Sequence, residues 1–110
     1  MKASQKINGG FIVLPKHTLR CNEWKDLAHC GKVVYFAMLT EFVRDKKINP
    51  DNKVGITQSQ IRAMTGQSRQ TVVDGIKALK KCGFLHVEPN EQGGLERNYT
   101  TYRLNGRFLW

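Results

Sequence analysis

The stretch Thr57-Gln58-Ser59-Gln60-Ile61-Arg62-Ala63-Met64-Thr65-Gly66-Gln67-Ser68-Arg69-Gln70-Thr71-Val72-Val73-Asp74-Gly75-Ile76-Lys77-Ala78-Leu79-Lys80-Lys81-Cys82-Gly83 spells two helices joined by a tight turn. Thr57 and Gln60 form a capping box: the threonine hydroxyl takes the amide three residues on, and the glutamine reaches back to the threonine amide. Ile61 and Met64 then face inward. Gly66 suits the left-handed backbone that ends a helix, and after Gln67 alone comes Ser68, a strong N-cap for the next. That second helix carries Val72, Ile76 and Leu79 at helical spacing, a core stripe, and closes at Gly83 after Lys80-Lys81-Cys82.

A short helix, a glycine turn and a longer helix cross at a steep angle, so the first braces the second and leaves its front end standing clear. A helix held in this way fits a major groove. The residues off the core stripe are Arg69, Gln70, Val73, Asp74 and Lys77. Arg69 suits a bidentate pair with guanine and Gln70 one with adenine, Val73 a thymine methyl, and Asp74 a cytosine amine or a bracing contact to Arg69. Lys77, three residues on, can neutralise Asp74. Ser68 and Thr71 at the helix start can hold a phosphate with the free backbone amides, and Lys80 and Lys81 supply further cations for a polyanion. Between Thr57 and Cys82 stand five basic residues and one acidic residue, a net +4. Gly75 costs this helix about 1 kcal/mol relative to alanine. It allows close approach of either another helix or a DNA backbone.

On the carboxyl-terminal side, Phe84-Leu85-His86-Val87 reads as a strand, Pro89 to Asn98 as a turn-rich loop with Gly93-Gly94, and Tyr99 to Leu104 as the returning strand. Arg97 on the loop shoulder, helped by Asn98, can reach a minor groove or a phosphate. Glu88, Glu91 and Glu96 oppose it by making the hairpin net negative. On the amino-terminal side, Val54-Gly55-Ile56 forms a brief strand after the loop Asn49-Pro50-Asp51-Asn52. From Gly31 a helix apolar on most sides (Val33 to Leu39, Phe42, Val43) reads as a buried central helix ending near Lys46-Lys47. A short irregular helix is expected over 17–29, and a β-rich run over Phe11 to Leu14, stopped by Pro15. The order helix, strand, helix, turn, helix, hairpin is that of a winged helix-turn-helix. It is a mainly α (α+β) fold with a three-helix core, a small antiparallel wing and an extra amino-terminal segment. Residues 1–10 read as a flexible leader and 11–110 as the domain.

Composition agrees with this placement. The 110 residues include 18 Lys and Arg against 9 Asp and Glu, a formal charge of +9, so a polyanion is the natural partner. No apolar run approaches the length of a membrane span, and no segment has the core of a signal peptide, so a cytoplasmic protein without membrane association is expected. Cys21, Cys30 and Cys82 are an odd, unclustered set, which argues against a disulfide scaffold. His17, Cys21, His29 and Cys30 lack paired close ligands, so no metal site is expected. Glycine-rich phosphate loops, nucleophile elbows and spaced acidic pairs are missing, so neither enzymatic activity nor a cofactor is expected.

Thr65-Gly66-Gln67-Ser68-Arg69-Gln70-Thr71-Val72, followed by Leu79-Lys80-Lys81-Cys82-Gly83, resembles the winged-helix domains of bacterial and phage regulators, where Thr-Gly-x-Ser-x-x-Thr-Val precedes a Leu-x-x-x-Gly ending. The wider layout, from Asn8-Gly9-Gly10-Phe11 through Leu14-Pro15 to Gly31 onward, is similar to the amino-terminal origin-binding domain of phage replication O proteins. The resemblance implies that the second helix of the unit binds duplex DNA. Arg62 stands where that family usually has a small residue and Gln67 where it has an aliphatic one, changes expected to loosen or re-angle the helix. Val73 and Asp74 replace polar or basic groups common in relatives. The expectation is a non-enzymatic, sequence-specific double-stranded DNA-binding protein regulating transcription in a bacterium or mobile element. Replication-origin binding, as in a phage or plasmid initiator, is the close alternative. An interaction module with weak DNA binding is a further one, favoured by the acidic wing and the apolar end Phe108-Leu109-Trp110. Single-stranded nucleic acid lacks an evident aromatic platform. A homodimer is possible through the Phe11 to Leu14 run or the Trp110 end.

Overall fold

Thr57 and Gln60 form the box their spacing implies. Thr57 Oγ1 accepts from the Gln60 amide at 3.0 Å and Gln60 Oε1 accepts from the Thr57 amide at 2.8 Å, opening a helix over Gln58–Thr65. Gly66 ends it with φ 72°, its amide donating to the Arg62 carbonyl at 2.8 Å. Ser68 Oγ then accepts from the Thr71 amide at 3.2 Å and starts the longer helix Arg69–Lys81. At its far end Gly83 takes φ 84°. The Phe84 amide donates to the Leu79 carbonyl and the Gly83 amide to that of Lys80, a Schellman closure.

The computed structural model describes residues 12–87 and 99–110. The leader 1–10, Phe11 and the wing loop with Glu88, Glu91, Gly93-Gly94, Glu96, Arg97 and Asn98 lie outside the described residues. In chain order the elements are α1 (Lys16–Arg20), α2 (Asn22–Asp26), α3 (His29–Glu41), β1 (Lys53–Thr57), α4 (Gln58–Thr65), α5 (Arg69–Lys81), β2 (Leu85–Val87) and β3 (Tyr99–Leu104), with a 3₁₀ turn at Gly106–Phe108. The three longer helices form the core, as the sequence pattern implies. The wing hairpin β2–β3 gains β1 as a third strand, in the order β1-β3-β2, antiparallel throughout, with Val54 opposite Tyr102 and Leu85 opposite Leu104. This is a winged-helix-like α+β fold.

α3 is the central helix, buried at Val34, Tyr35, Ala37, Met38 and Leu39. α5 lies across it through Val72, Gly75, Ile76 and Leu79, all buried. A Cβ on Gly75 would stand 2.7 Å from the Cys30 carbonyl oxygen. The close approach that Gly75 permits is therefore to α3, which settles the choice that sequence left open.

Four local readings need correction. α3 stops at Glu41, not near Lys46-Lys47. Beyond it Arg44 donates to the carbonyls of Leu109 and Val13, and buried Asn49 captures the carbonyls of Val43 and Lys53. These contacts hold the chain out of helix from Phe42 and turn it between Asp45 and Asn49. Ile12 to Leu14 forms no strand, because the Val13 carbonyl is met by a guanidinium instead of a neighbouring strand. The segment over 17–29 is two short helices with a break at Cys21, and His29 already belongs to α3. Phe108 and Leu109 are core residues, not a free apolar end, and only Trp110 is exposed. The three cysteines are free and half-buried. No described helix is long and apolar enough to cross a membrane, and no three His, Cys, Asp or Glu cluster as metal ligands among the described residues.

Candidate nucleic-acid interface

With Val72, Gly75, Ile76 and Leu79 turned to the core, the 100° step of an α-helix places Arg69, Val73, Lys77 and Lys80 beside Gln70, Asp74 and Lys81 on one continuous outward arc. Arg69, Gln70, Asp74, Lys77, Lys80 and Lys81 are all exposed, and Val73 is half-buried between them. Lys77 falls in the middle of the arc. No ion pair engages Arg69 or Lys77 among the described residues, so their charge is available to an outside anion.

Asp74 does not serve the roles first expected of it within the helix. Its Oδ1 accepts from Gln70 Nε2 at 2.9 Å, so its partner is the amide four residues back, not Arg69 or Lys77. Helix geometry explains the absence of Arg69, since residues four apart are stacked neighbours whereas a five-residue separation turns Arg69 away.

The front of α5 is a hydroxyl pair. Ser68 Oγ and Thr71 Oγ1 lie 2.9 Å apart, and the serine also caps the Thr71 amide. Neither Arg69 nor Gln70 has an intrahelical acceptor for its amide, and no acidic residue stands in the first turn. The helix dipole there favours an anion. Arg97 lies outside the described residues.

The turn before α5 is tighter than its sequence suggests. The Thr65 hydroxyl donates to the Ile61 carbonyl and accepts from the Gln67 amide at 3.2 Å. Arg62 points to solvent, where its length disturbs no packing. Gln67 is half-buried, and its Oε1 is buried with no hydrogen-bond partner among the described residues.

Met64 was expected inside with Ile61 but is 45% exposed, while Ile61 is buried. Met64 lines an open apolar groove of about 350 Å³ with Ile12, Val33, Phe36, Ala37 and Thr40. Sequence reading missed this groove, although Phe36 on a helix otherwise apolar all round was its signal. A second missed feature is Trp110, with the Arg44 guanidinium 4.8 Å and the Lys46 ammonium 4.9 Å from its ring centre.

No family model matches the chain, and no curated protein matches it. A solved structure described as "N-Terminal domain of DNA binding protein" is similar over 96% of this chain and 82% of its own length, with a TM-score of 0.63 and 14% identity. At that identity the likeness is one of fold.

Proposed function

We propose that this protein is a sequence-specific, double-stranded DNA-binding domain without catalytic activity or cofactor, acting in transcription regulation. The observation that carries this reading is the outward arc of α5, where cations without an ion-pair partner among the described residues flank polar groups on a helix fixed to the core. The likeness to a fold described as part of a DNA-binding protein supports it, as does the formal charge of +9. Binding at a replication origin is the same physical act with another outcome, and the resemblance of the sequence layout to phage replication O proteins favours it as the second reading.

In this reading phosphates meet Ser68, Thr71, Lys80 and Lys81, and base edges meet Arg69, Gln70, Val73 and Lys77. Affinity then falls steeply with salt. The test is binding of fluorescent duplexes, a selected site against random sequence, at several salt concentrations. Arg69→Ala should narrow the gap between selected and random duplex by about 1–3 kcal/mol. Lys80→Ala should weaken both alike and lower the salt slope by about 1. Equal loss on both duplexes with Arg69→Ala would overturn the assignment of Arg69 to base reading. The groove between Ile12, Phe36 and Met64 favours a protein-interaction module as the reading from another class. Self-association in sedimentation with no retardation of any duplex would select that reading.

A further inference from the structure

We infer that Asp74 is a positioning residue that orients the Gln70 amide and thereby makes the pair a reader of adenine in preference to guanine. The inference rests on the reading of α5 as a duplex-DNA-binding helix.

Both side chains are exposed on the outward arc, and Gln70 Nε2 lies 2.9 Å from Asp74 Oδ1. Chemistry fixes which end of the amide faces the acid. A carboxylate only accepts hydrogen bonds, so the nitrogen must turn toward it and the oxygen away. Gln70 therefore presents its carbonyl oxygen and one remaining N–H outward. In the major groove adenine offers an N6 amine donor beside an N7 acceptor, the direct complement of that pair. Guanine offers two acceptors, N7 and O6. An untethered glutamine can turn its NH₂ group to guanine and give a proton to each acceptor. With one N–H held by Asp74, Gln70 would set its own oxygen against O6 or leave O6 without a donor. Asp74 thus excludes guanine through Gln70 without touching a base.

This also accounts for a carboxylate on a surface whose other charges are positive. Asp74 cannot bind phosphate, and no cation pairs with it among the described residues. Its charge is an electrostatic cost to overall affinity that orientation of Gln70 turns into selectivity. The competing role is direct: the second carboxylate oxygen accepting from the N4 amine of a cytosine.

The experiment uses the full chain and a duplex selected from random sequence. Affinities are measured for that duplex and for each single base-pair variant, with the wild type, Gln70→Ala, Asp74→Asn and the double variant. Asparagine keeps the shape but can either donate or accept, so it releases the amide. The wild type should prefer A·T over G·C at one base pair by about tenfold or more. Asp74→Asn should cut that preference to about threefold or less at the base pair where Gln70→Ala erases it. The same substitution should tighten binding to random duplex, and the double variant should discriminate no worse than Gln70→Ala alone. A preference that Asp74→Asn leaves intact, or alters at a different base pair, overturns the inference while the duplex reading stands. The same holds for a profile unmoved by Gln70→Ala. Failure of the wild type to retain any duplex overturns both.

Discussion

Tyr35 sits in the middle of the protein with its ring edge-on to Phe84 at 5.3 Å and to Trp24 at 6.1 Å. Its hydroxyl is buried and has no hydrogen-bond partner among the described residues. Burial raises the phenol pKa above its usual value, with the Arg44 charge opposing weakly. A phenol in the unfolded chain loses its proton near pH 10, whereas Tyr35 in the folded protein keeps it. The stability this group contributes is therefore whole below about pH 10 and falls above it, by up to about 1.4 kcal/mol per pH unit. Tyr35→Phe removes an unsatisfied buried hydroxyl and keeps the ring, so at pH 7 the variant should be as stable as the wild type or more so. Between pH 10 and 11 it should lose less stability. Urea unfolding at the two pH values checks both statements, and a variant clearly weaker at pH 7 would show that the hydroxyl has a partner.

Helix α5 owes its place to a missing side chain. A methyl group at Gly75 would stand 2.7 Å from the Cys30 carbonyl oxygen and 2.8 Å from Val34 Cγ2. The first of these is backbone in the opening turn of α3, which cannot give way as a flexible side chain would. Alanine is the better helix former by about 1 kcal/mol, yet Gly75→Ala should lower stability by about 1–3 kcal/mol from overpacking. Gly66 is the contrast: nothing lies within 4 Å, but φ is 72°, so its alanine variant is opposed by backbone strain alone. Thermal unfolding of both variants tests the distinction, with a larger loss expected at Gly75. Elements were legible in sequence where their causes are local. The Thr57 and Ser68 caps, the left-handed glycines and the Val72, Ile76, Leu79 stripe all lie within a few residues of what they determine. The end of α3 was not legible, because Arg44 and Asn49 stop it through carbonyls that include those of Val13, Lys53 and Leu109. The partner of Asp74 was half legible: helix spacing excludes Arg69 but admits both Gln70, four residues back, and Lys77, three residues on, and only the structure shows that the glutamine is the partner.

At the scale of the molecule, the last described residues tie the parts together. Phe108 stacks on Phe84 with ring centres 4.2 Å apart, and its carbonyl accepts from the buried Thr18 hydroxyl at 2.9 Å. Asn105 donates to the Gly83 carbonyl at the close of α5 and caps the 3₁₀ turn through Arg107. Local sequence shows Phe108-Leu109-Trp110 as an apolar tail. The burial of Phe108 and Leu109 draws on Thr18, Phe84 and Arg44, which no periodicity reveals. Phe108→Ala should cost about 3–5 kcal/mol, a large part of the roughly 5–15 kcal/mol a domain has. Chemical denaturation should show the midpoint falling accordingly, and a loss below about 1 kcal/mol would place the ring outside the core.

The strand order has a consequence for a chain that emerges from the ribosome amino end first. β3, the middle strand, is the last of the three to be made, after both of its neighbours. Until Leu104 is free, the ladders from Lys53 to Thr57 and from Leu85 to Val87 have nothing to pair with, and Val54, Ile56 and Leu85 wait without their cover. A nascent chain halted before Tyr99 would hold the helices but expose two unmatched sheet edges, the kind of surface to which chaperones attend.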